Sequence, residues 1–135
     1  MKYKSPDIEV TWLGRAPRSL RALVSIADEY RIAALDGVDI TITSFLRTPN
    51  TTKVSYHTDG MAVDLRTHDM SATVRSAVLA LLRSTAERMN EDSLHYKALD
   101  LQVIAHDELL GTPEAHIHIE LDDGRYNLKH LAPTA

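Results

Sequence analysis

Ala115-His116-Ile117-His118-Ile119-Glu120-Leu121 alternates without a break between apolar and ligand-type side chains. In an extended strand successive side chains point to opposite faces, so His116, His118 and Glu120 share one face and Ala115, Ile117, Ile119 and Leu121 the other. A chain that carries such a strand has to bury the aliphatic face and find a use for the histidine face. A second stretch answers it about fifty residues earlier, where Ser55-Tyr56-His57-Thr58-Asp59-Gly60-Met61-Ala62-Val63-Asp64 sets an imidazole and a carboxylate on either side of a glycine. Neither stretch completes a metal site alone, and a fold that joins them would.

His57 and Asp64 cannot face the same way in one unbroken strand. A turn or bulge at Gly60 resolves this, with His57 coming from the end of a loop and Asp64 from a strand over Met61–Arg66 whose Met61, Val63 and Leu65 fill the core. Asp59 reads as a turn residue. Upstream, Val38–Phe45 alternates β-branched and polar residues and reads as a strand, and Arg47–Thr52 as a loop around Pro49. The spacing of Leu20, Leu23, Val24, Ala27 and Tyr30 predicts a helix that starts at Pro17 and ends before Gly37, with Arg18, Arg21, Asp28, Glu29 and Arg31 on a solvated face. Val74, Ala77, Val78, Leu81, Leu82, Thr85 and Met89 form the clearest helical stripe, capped by Asp69 or Ser71.

The remaining segments are shorter. Ile8–Trp12 alternates and predicts a short edge strand. Residues 90–98 read as a polar connection, Leu99–Ala105 as a strand, Asp107–Pro113 as a loop, and Asp122-Asp123-Gly124 as a hairpin signal into a last short strand over Arg125–Leu128. The order of elements predicts one α+β domain spanning residues 1–135, a mostly antiparallel sheet with helices packed on one face. Its length suffices for a core without staples.

Composition narrows the chemistry. With no cysteine in the 135 residues there is no disulfide, thiolate nucleophile or cysteine zinc site, so a metal would be held by histidine and carboxylate. A formal charge of −4 and the lack of a Lys/Arg block argue against nucleic acid or an anionic membrane surface as partner. The polar start Met1–Asp7 has no signal-peptide core, and no run of about 18 apolar residues is present to span a membrane. The expectation is a protein made in the cytoplasm that reaches any outside target by release or delivery. No phosphate-binding glycine loop, nucleophile elbow or His-Glu-x-x-His helix occurs. What remains is the histidine and carboxylate set. A catalytic zinc takes three protein ligands and keeps a place for water, lowering that water's pKa to about 7, as amide hydrolysis requires.

The pattern Ser55-x-His57-x-x-Gly60-x-Ala62-x-Asp64, followed by His116-x-His118, resembles the zinc D-alanyl-D-alanine carboxypeptidase and endopeptidase family, a group that is itself similar to lysostaphin-type peptidases and the hedgehog signalling domain. The likeness spans roughly residues 40 to 121. It implies the hedgehog and D-Ala-D-Ala-peptidase type of fold and zinc held by His57, Asp64 and His118. His116 would stand beside the metal's water or the oxyanion. It also implies substrate binding by Arg47 and Ser55, with the guanidinium of Arg47 on the substrate carboxylate. The implied activity is hydrolysis of peptidoglycan stem or cross-link peptides, as in phage endolysins, by metal-activated water.

Two departures leave alternatives open. The family's usual Ser-Gly-Tyr-Arg reads Ser44-Phe45-Leu46-Arg47, and the acid that many members carry three residues before the last zinc histidine is Ala115. His116 is the preferred group for proton transfer, Glu114 the alternative, and an impaired site serving as a binding or assembly module the third. Glu120 offers an acceptor for a ligand imidazole. His68, His95, His106 and His130 have no partner spacing and read as surface or loop residues.

Overall fold

The computed structural model describes residues 1–46, 56–57, 59–94 and 102–123. Among them are three helices, α1 (Pro6–Arg15), α2 (Arg18–Ala34) and α3 (Ala72–Asp92), and five strands, β1 (Lys2–Tyr3), β2 (Thr41–Ser44), β3 (Ala62–Arg66), β4 (Gln102–Glu108) and β5 (His116–Asp122). The strands form one sheet in the order β1-β2-β3-β5-β4. β1 runs parallel to β2 and every other pair is antiparallel. The architecture is α+β, as the element order predicts.

The sheet has two chemically distinct faces because its strands alternate in step. Ile42, Val63, Leu65, Val103, Ala105, Ile117 and Ile119 are buried in one core with Trp12 of α1, Leu20, Leu23, Val24 and Ala27 of α2, and Val74, Val78, Leu82 and Ala86 of α3. Burying each large aliphatic side chain contributes about 1.5–3 kcal/mol. The opposite face carries Asp64 and Arg66 of β3, His116, His118 and Glu120 of β5, and His106 and Glu108 of β4. Register sets these in rows across β3, β5 and β4: His118 stands between Asp64 and His106, and His116 between Arg66 and Glu108.

Several expectations are corrected. Ile8–Trp12 lies within α1 rather than an edge strand, since Ser5 caps the helix by accepting from the Ile8 amide, Pro6 opens its first turn and Asp7 and Glu9 complement its N-terminus. Trp12 is the face that α1 buries, edge-on to Phe45 with ring centroids 5.1 Å apart.

Arg31 is not on a solvated face but wholly buried at the end of α2. Its guanidinium donates to both Asp36 oxygens at 2.9 and 3.0 Å, to both Asp69 oxygens at 3.3 Å and to the Asp69 carbonyl at 2.9 Å. A buried guanidinium is tolerated when its donors are matched in this way, and here the match ties α2 to the turn after β3. Asp28 also faces inward, accepting from the Ile40 amide at 2.8 Å.

Ser71 caps α3, which continues to Asp92 through part of the expected polar connection. β2 is shorter than its alternating stretch. β4 runs on to Glu108 through the start of the expected loop, because its pairing with β5 persists as far as Glu108 opposite His116. Met61 is only half-buried beside the fully buried Val63 and Leu65. The 47–52 loop and the last short strand over 125–128 lie outside the described residues.

Candidate metal centre

Gly60 decides how His57 meets Asp64. Its φ of +70° is open to glycine at little cost, and the turn closes with the Gly60 amide on the His57 carbonyl and the Met61 amide on the Tyr56 carbonyl at 2.7 Å. The chain then enters β3, and Asp64 emerges on the polar face opposite His118. Tyr56 donates to Asp122 at the far end of β5 at 2.6 Å, which pins the loop carrying His57 against that strand.

Three donors converge in the result. His57 Nε2 stands 3.2 Å and His118 Nδ1 2.8 Å from Asp64 Oδ1, and all three residues are buried. The outer nitrogen of each imidazole is held as well: His57 Nδ1 lies 2.7 Å from the Phe45 carbonyl, and His118 Nε2 lies 2.9 Å from Glu120 Oε1. An acceptor behind each ring fixes its tautomer and aims its other nitrogen inward, the arrangement that metal-ligating histidines ordinarily show. Glu120 is 1% exposed, so its carboxylate acts on His118 rather than on solvent.

The charges fit a cation site. Burial favours the neutral form of Asp64, but hydrogen bonds from His118 and His57 prevail and hold its carboxyl well below the usual range. Burial likewise works against a charged His118, yet the hydrogen bonds to Asp64 and Glu120 push its pKa up to about 9. A proton and a metal ion therefore compete for the same nitrogen, the linkage expected of a histidine ligand. Two imidazoles and a carboxylate are suitable metal donors, and these three residues lie close enough together to hold a metal ion.

His116 stands one step along the same face. Its Nε2 lies 3.0 Å from Glu108 Oε2 and 3.5 Å from Asp64 Oδ1, and its Nδ1 lies 2.8 Å from the Glu114 carbonyl. The side chain of Glu114 is exposed, and it is the backbone of that residue that touches the imidazole. The hydrogen bond to Glu108 raises the pKa of His116 against the opposing effect of burial, and the same bond lowers that of Glu108.

Two residues escape a reading of the sequence. His106 is no surface histidine, since its ring lies 5.2 Å from that of His118, and His106, Glu108 and His118 form a second set of potential ligands. The two sets share His118, and one imidazole nitrogen serves one ion at a time. The set with Asp64 is the better site because all its members are buried and both its rings are held from behind. Only cross-strand register brings His106 and Glu108 here, so β4 paired to β5 is the sole signal that could have found them. His68 lies at the cleft beside the centre and is exposed. Arg47, Ser55, His95 and His130 are outside the described residues.

Against known proteins, the chain matches no family model, no curated protein and no solved structure.

Proposed function

We propose that this chain is a zinc-dependent peptidase of the D-alanyl-D-alanine carboxypeptidase and endopeptidase type, acting on peptidoglycan peptides. The observation that carries the reading is the buried meeting of His57, Asp64 and His118 with Phe45 and Glu120 behind the two rings. It agrees with the motif resemblance at all three expected ligand positions. Zinc bound there would supply Lewis acidity and a water acidic enough to be a nucleophile near neutral pH.

The chain's own residues supply the rest. His116 sits beside the ligand carboxylate on the open side of the row, within reach of a proton at the reacting centre. Glu108 accepts from its Nε2 and holds the ring in place, so a carboxylate from the neighbouring strand backs the imidazole where Ala115 offers none. A second reading, a metal-stabilised binding or phage assembly module without turnover, draws on Ala115.

One experiment separates them. Purified protein is assayed for zinc content and for release of peptides from peptidoglycan, with chelated, His57→Ala and His116→Ala samples alongside. The peptidase reading expects one bound zinc lost in His57→Ala, and turnover lost on chelation and in His116→Ala with zinc retained in the latter. Zinc without turnover favours the binding module, and no zinc in the wild type sinks both.

A further inference from the structure

The proton-transfer row ends in a residue that neither the metal set nor His116 uses. Arg66 follows Asp64 on the same face of β3 and pairs across the ladder with His116. Its Nε is buried without a hydrogen-bond partner, and its guanidinium makes no ion pair among the described residues. Arg31 shows what this chain does with an arginine that serves structure: every side of that guanidinium meets an acceptor. A half-buried guanidinium always charges, brings five donors, and loses solvation without return unless an acceptor arrives.

Arg66 lines a cleft of about 380 Å³ together with Asp64 and His116 of the centre. Lys4, just past β1, and His68, just past β3, line the same cleft, and no ion pair engages either among the described residues. The carboxylate of Asp64 is committed to His57 and His118, which leaves Glu114 at the exposed rim as the opposing charge. The cleft thus offers fixed positive charge on the side of the centre away from Glu120.

We propose that Arg66, assisted by Lys4, is a carboxylate-binding subsite that positions a peptide across the metal centre. A guanidinium fork matches a carboxylate with two parallel hydrogen bonds, and an ammonium across the cleft adds charge without geometry. The carboxylate is either the peptide's own C-terminus or an acidic side chain. The proposal rests on the peptidase reading only in taking the ligand to be a peptide.

The test titrates the protein, zinc-loaded and again after chelation, with four probes followed by calorimetry: N-acetyl-D-alanyl-D-alanine, its C-terminal amide, the amide with D-glutamate replacing the first residue, and inorganic phosphate. At least one acidic probe is expected to bind about tenfold or more tighter than the neutral amide. Arg66→Met should abolish that preference and Arg66→Lys restore part of it, with zinc content and melting temperature unchanged in both. The acidic probe that prevails tells terminus from side chain. Equal binding of all three peptides, no binding of either acidic peptide, a preference that survives in Arg66→Met, or tighter binding of inorganic phosphate than of both acidic peptides overturns the proposal. An acid preference in a protein that never hydrolyses peptidoglycan leaves the subsite standing and fells the peptidase reading. Hydrolysis with no acid preference does the reverse.

Discussion

Glu120 does for His118 what the Phe45 carbonyl does for His57, but with a full charge. Glu120→Gln keeps the shape and removes that charge, so zinc affinity should fall about 10- to 100-fold, as read by competition with a chromophoric chelator, while the fold survives. Arg31 makes a comparable point about stability. Asp36→Asn weakens a bidentate, charge-assisted pair on a buried guanidinium and should cost about 1.5–3 kcal/mol in urea unfolding near neutral pH. The hydrogen bond from Arg31 lowers the pKa of Asp36 in the folded chain, so its contribution is complete above the unfolded carboxyl value of about 4 and fades as pH falls through the lower folded one. The gap in melting temperature between wild type and Asp36→Asn should accordingly narrow below about pH 4 and stay level above it.

Among the elements, the turn at Gly60 is the joint on which the ligand set depends. A Cβ there would meet Phe45 and Leu46 at 3.6 and 3.7 Å, ordinary contact, so Gly60→Ala costs what the left-handed backbone costs, about 1–2 kcal/mol, and zinc affinity should drop with it as His57 shifts. Ser71→Ala, which removes the α3 cap at a distance from the centre, should cost about 1 kcal/mol by the same unfolding measurement and leave zinc binding alone.

These elements also mark how far a sequence can be read. β5 announces itself by strict alternation and β3 by its apolar Val63 and Leu65, which places Asp64, His116, His118 and Glu120 on one face. The choice of His118 over His116 as candidate ligand comes from the motif resemblance. α1 hides behind a false alternation at Ile8–Trp12 that the Ser5-Pro6 start overrides. Arg31 looks solvated because its acceptors come from other segments, one of them 38 residues away. His106 and Glu108 gain meaning only from the pairing of β4 with β5, which no local pattern encodes.

At the scale of the whole molecule, the two strands that carry Asp64 and His118 lie side by side at the heart of the sheet, with β2 and β4 flanking them. The centre is therefore held by the same pairing that holds the core, and an ion bound only by the folded chain stabilises all of it. Zinc at about 100 times its dissociation constant should add about 2.7 kcal/mol, seen by calorimetry as a higher melting temperature that chelator or His57→Ala removes. No described helix is long and apolar enough to cross a membrane.

Asp64 and His118 are 54 residues apart in the chain, yet they meet atom to atom. Closing so long a loop is a slow, entropy-limited event, and the whole of α3 and of β4 lies within it. Capture of an ion by both ligands has to wait for β5 to dock on β3. In refolding, the rate at which a zinc indicator loses its metal to the protein should thus be independent of zinc concentration and equal to the rate at which the centre of the sheet closes, so that the site times the assembly of the fold that builds it.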